Sequence, residues 1–110
     1  MSRALPEADW KAFRKLHAVA LERFCTRVIA ELQAMASENA ESHHDRYLRI
    51  FKLLKRRDDE LAHAFDGLRR SSAVAQLGLM HRYGLVTEEE MSAFTMQTRT
   101  SALHWSGSGR

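Results

Sequence analysis

The chain has 110 residues, 45% hydrophobic and 28% charged, which suits one small globular domain and excludes a disordered polyelectrolyte. Its net charge of +3 is compatible with a polyanionic partner but too small to require one. No apolar run approaches the ~20 residues of a membrane span, the single cysteine, Cys25, cannot form an intramolecular disulfide, and the first residues lack the apolar core of a secretory signal, so a cytoplasmic location is expected.

Residues 1–5 read as an N-terminal arm, followed by one helical domain over 6–98 and a flexible tail over 99–110. A first helix over about 6–36 starts at Pro6, which suits a helix start because its missing N–H would have had no partner there. Glu7 and Asp9 then set negative charge at the positive end of the helix dipole. Its apolar stripe runs through Trp10, Phe13, Ala20, Leu21, Phe24, Val28, Leu32 and Met35, widened by Leu16, Val19 and Ile29. The stretch ASENAES holds no apolar anchor beyond alanine and is predicted to be the turn.

A second helix is predicted over about 43–83, with Ser42 and Asp45 as a weak capping signal at its start. Tyr47, Phe51, Leu54, Asp58, Leu61, Phe65, Leu68, Ser72, Ala75 and Leu79 follow alternating steps of four and three, the spacing of a coiled-coil seam. The phase carries across Asp58, so a continuous helix is expected there rather than a break. Gly67 and Gly78 weaken it and also admit a close neighbour. The helix is expected to stop at Gly84, and Thr87 with Glu90 forms a capping box for a third helix over about 88–98. The fold class is therefore all-α: a long antiparallel hairpin with a short C-terminal helix. A hairpin that long leaves apolar flanks, which pairing into a helical bundle with a second copy would cover; the expected dimer seam is Phe51, Leu54, Leu61, Phe65 and Leu68.

Asp58 is the polar member of that seam. Folding the hairpin near residue 40 brings it opposite residues 22–23, so Arg23, Arg27 or an arginine of a second copy is its expected partner, in a role that fixes register rather than catalysis. The segment 46–57 carries Arg46, Arg49, Lys52, Lys55, Arg56 and Arg57 without an acid; such a face can track phosphates, although the acids around it also allow a plain solvated surface. Glu41 with His44 and Glu60 with His63 match the E-x-x-H of di-iron bundles. Both lie on one helix with His63 off the seam, so no metal and no cofactor are expected. Nothing resembles a nucleophile with its base or a phosphate-binding loop. A helix-turn-helix reading of the region near Gly84 fails because Glu88, Glu89 and Glu90 would meet the phosphates. The functional expectation is a non-enzymatic adaptor, chaperone-like or regulatory module that meets a protein partner through a helical face, with nucleic-acid binding by residues 46–57 as the alternative.

Overall fold

The computed structural model describes residues 5–107. Among the described residues five helices follow in order: α1 (Glu7–Ala36), α2 (His43–Phe65), α3 (Ala73–Arg82), α4 (Glu88–Ser92) and α5 (Met96–Ser106), with a 3-10 turn at Arg70–Ser72 before α3. Among the described residues there is no strand, and the class is all-α. α1 and α2 form the antiparallel hairpin, and α3, α4 and α5 make a head packed against its base. The molecule measures 55 × 28 × 25 Å, with a radius of gyration of 16.6 Å. A compact globule of this size would have about 13 Å; the hairpin projects beyond the head.

The predicted starts and stops have physical causes. Ser42 caps α2, its hydroxyl accepting from the Asp45 N–H at 3.0 Å. At Thr87 both halves of the capping box are made: the Thr87 hydroxyl accepts from the Glu90 N–H at 3.0 Å, and the Glu90 carboxylate accepts from the Thr87 N–H at 2.9 Å. Gly84 takes φ +72°, the left-handed conformation, and the Leu85 N–H reaches back to the Met80 carbonyl at 2.9 Å. Leu85 is buried over that helix end.

Three boundaries differ from the sequence reading. The expected helix over 43–83 is two helices. It runs unbroken through Asp58 but ends at Phe65, where Gly67 adopts φ +67° and turns the chain. The turn is held by tertiary bonds: the His17 Nε2 lies 2.9 Å from the Phe65 carbonyl, and the Gln76 amide donates to the Asp66 carbonyl at 2.7 Å. Periodicity cannot register such bonds, so the seam spacing continued through a corner. The single helix expected over 88–98 is likewise two, α4 and α5, and α5 extends through Ser106 into the expected tail. Polar composition misled there, because Thr98, Ala102 and Ser106 are the buried face of α5. Of the predicted arm, residues 1–4 lie outside the described residues, and Leu5 belongs to the core.

The core joins Phe13, Leu16, Ala20, Phe24 and Val28 of α1 to Ala64 and Phe65 of α2 and to Ala73, Leu77, Met80, Leu85, Met91, Phe94 and Ala102 of the head. His17 is sandwiched edge-on between Phe13 and Phe65, with ring centroids 5.9 and 5.2 Å away.

Candidate interaction face on the hairpin

Helix α2 carries two stripes with the same four–three spacing, one residue out of step and so about 100° apart around the helix. The stripe that faces α1 contains Arg46, Leu53, Arg57 and Ala64; Arg46, Leu53 and Ala64 are buried, and Arg57 is half-buried. The stripe read from the sequence, Tyr47, Phe51, Leu54 and Asp58, points outward over this stretch. Tyr47 is 64% exposed, Phe51 55% and Leu54 46%. The inward stripe was missed because two of its members are arginines.

The five residues expected to form a dimer seam therefore divide. Phe51 and Leu54 are exposed, Leu61 is half-buried against the core, and Phe65 is in the core itself. Leu68 is exposed but lies past the turn at Gly67, off the helix that carries the others. On the hairpin, Leu54, Asp58 and Leu61 share a shallow apolar groove of about 220 Å³ with Cys25, Ile29 and Leu32 of α1. Ile29 is itself exposed. Apolar side chains from both helices thus meet on one outward face.

Asp58 stands at that groove, exposed, and makes no hydrogen bond or ion pair among the described residues. Neither expected intrachain partner reaches it. Arg23 forms a bidentate pair with Glu90, at 2.7 and 2.8 Å, and also donates to the Leu85 carbonyl at 2.8 Å. Arg27 donates to the carbonyls of Tyr83, at 2.8 Å, and Gly84. Both arginines clamp the α3–α4 corner onto α1. Residue spacing along two helices sets them opposite Asp58, but the head packed on α1 offers both arginines nearer acceptors.

The clamp has a pH signature. The Arg23 guanidinium holds the Glu90 carboxyl down from its ordinary 4.5 to about 2, against the effect of partial burial and helped by the Thr87 N–H. A group whose folded value lies below its unfolded one stabilises fully above the unfolded value and ceases to do so as pH falls through the folded value. We predict that the melting temperature of Glu90→Gln lies below that of the unmutated protein near neutrality, and that the gap narrows between pH 4.5 and 2. A gap independent of pH across that window would show that the carboxylate's charge contributes nothing.

The six basic residues also divide. Arg57 pairs with Glu31 through two bonds, at 2.9 and 3.0 Å, and with Glu60 at 3.1 Å. Its bond lowers the Glu31 pKa. Arg46 donates to the Glu38 carbonyl, and Arg49 bonds the carboxylates of Glu38, at 2.9 Å, and Glu41. Only Lys52, Lys55 and Arg56 are exposed without a hydrogen bond or ion pair among the described residues. The same pairs occupy the glutamates of both E-x-x-H motifs, while His63 bonds the Asp59 carbonyl at 2.7 Å. Among the described residues no group of three or more His, Cys, Asp or Glu side chains is placed to hold a metal, and no helix is long and apolar enough to cross a membrane.

Two structural sites escaped the sequence reading. Asp9, read as a dipole acid, is buried and binds the start of α5: its carboxylate accepts from the Thr95 N–H at 3.1 Å, the Thr95 hydroxyl at 2.8 Å and the Thr98 hydroxyl at 2.7 Å. Arg70 donates to the Leu5 carbonyl at 2.8 Å and to Glu7 at 3.0 Å, tying the start of the hairpin to the head. Both link residues more than 60 positions apart, which no local pattern announces.

No protein-family model matches the chain, and no curated protein sequence matches it significantly. Among solved structures it is similar to the Fluorescence Recovery Protein from Synechocystis sp PCC 6803, with a TM-score of 0.76 at 20% identity over 93% of this chain and 97% of that one; at that identity the likeness establishes a shared helical fold.

Proposed function

We propose that this chain is a small non-enzymatic interaction module of the adaptor, chaperone-like or regulatory kind, working in the cytoplasm. It assembles as a homodimer through the outward face of α2 and offers the resulting bundle to a protein partner. One observation carries the reading: Tyr47, Phe51, Leu54 and Ile29 are exposed together on the hairpin, although the chain has a complete core elsewhere. A contiguous apolar patch of this kind marks a protein-contact surface. The fold shared with a protein named for fluorescence recovery supports a regulatory role.

The test is sedimentation of Phe51→Asp and Leu54→Asp beside the unmutated protein. Both positions are exposed in the single chain, so each variant keeps its helical content and its fold, while the dimer's mass halves because a buried unpaired carboxylate costs several kcal/mol. An unmutated chain that stays monomeric at high micromolar concentration would refute the dimer. Lys52, Lys55 and Arg56 sustain the alternative of nucleic-acid binding. Retention on DNA that falls steeply with salt would favour it, since each phosphate contact releases counterions.

A further inference from the structure

Taking the dimer just proposed as given, we infer that its two α2 helices pack antiparallel about a dyad between Phe51 and Leu54, with the Tyr47 hydroxyl of each copy donating to the Asp58 carboxylate of the other. The positions 47, 51, 54 and 58 are spaced four, three, four, a pattern that reads the same in either direction. A two-fold axis across the helix at its midpoint exchanges 51 with 54 and 47 with 58. Phe51 then covers Leu54 of the second copy, and antiparallel coiled-coil layers are built from such crossed pairs.

Charge decides between orientations. Covering the face removes Asp58 from water, and a carboxylate so buried needs a donor. A parallel, in-register dimer would set Asp58 against Asp58, two like charges on the seam. The antiparallel dimer sets Asp58 against Tyr47, which is 64% exposed and whose hydroxyl has no partner among the described residues. Tyr47 carries the remaining polar hydrogen among the four stripe residues, and it stands at the position that symmetry assigns to Asp58. Both ends of the bond are thus exposed and unused in the single chain, and each lacks only the other.

Crosslinking reads the orientation directly. In a Cys25→Ser background, the chain carrying both Tyr47→Cys and Asp58→Cys is treated with a short bismaleimide and its crosslinked peptides are identified. Links between 47 and 58 of different copies are expected. A 47–47 or 58–58 link would have to span roughly 16 Å along the helix, eleven residues at 1.5 Å each, so predominance of those links overturns the antiparallel register. The hydrogen bond is read separately by dimer dissociation. Tyr47→Phe keeps the ring and loses the donor in both copies, and is expected to weaken the dimer by roughly 100- to 10,000-fold, the worth of two bonds to charged groups. Adding Asp58→Leu to it removes the stranded acceptor and should restore dimerisation to at least the original strength. A Tyr47→Phe dimer as tight as the original would show that Asp58 finds another donor, and would overturn the pairing while the dimer stands. A monomeric unmutated chain would instead remove the dimer on which the pairing rests.

Discussion

Replacing Gly78 with alanine is expected to lower the melting temperature by about 10 °C. Among the described residues, helices α3 and α5 share the most extensive contact of any pair of elements, and Gly78 is where their backbones meet. A Cβ built there would lie 2.5 Å from the Ala102 carbonyl oxygen and 2.5 Å from the Trp105 Cβ, and 3.1 Å from the Ser106 nitrogen. Two of those atoms are backbone, so no side-chain rotation relieves the contact and α5 must move. Overpacking of this kind costs about 3 kcal/mol at the upper end of its usual range. Alanine returns at most about 1 kcal/mol in helix propensity. The net loss is about 2 kcal/mol, read as an earlier thermal transition with the same helical signal below it. An unchanged melting point would mean that α5 is not seated against α3 as described.

Asp9→Ala is expected to be the more damaging change, at about 3 kcal/mol. The carboxylate sits where the first turn of α1 meets the N-cap of α5, so two helix dipoles favour its charge. Removing it strands the buried Thr98 hydroxyl and the Thr95 N–H together. Urea denaturation should show a lower midpoint with an unchanged slope. Asp9→Asn keeps an acceptor oxygen but turns a donor toward donors, and should fall between the two. A loss under about 0.5 kcal/mol for the alanine variant would make Asp9 an ordinary surface residue.

What the sequence disclosed follows the range of the interactions involved. The caps at Ser42 and Thr87 and the closure at Gly84 are made within a few residues, and each was legible from neighbouring letters. The helical continuity of α2 through Asp58 was legible for the same reason. The turn at Gly67 was not, because the glycine's identity permits a corner while the bonds from His17 and Gln76 select it. The face of α2 was half legible. Its outward stripe is written in apolar letters, but its inward stripe includes Arg46 and Arg57, whose stems and guanidinium groups pack and bond inside the hairpin. An arginine that serves as internal cement carries the same letter as one that serves a solvated face. Arg23 and Arg27 show the same limit: their importance was visible and their partners were not.

The hairpin's projection beyond the head divides the molecule by the kind of force that holds it. Toward the loop, the last buried apolar side chains are Val28 on α1 and Leu53 on α2. Past Val28 the helices are joined by Arg57 of α2 with Glu31 of α1, and beyond Leu53 the start of α2 is tied to the connecting loop by Arg46 with the Glu38 carbonyl and by Arg49 with Glu38 and Glu41. Ion pairs this exposed weaken in salt, and the apolar head does not. Backbone amides near the loop therefore exchange with solvent through small local openings that added salt makes more frequent, while those of α3, α5 and the facing turns of α1 wait for the whole chain to unfold.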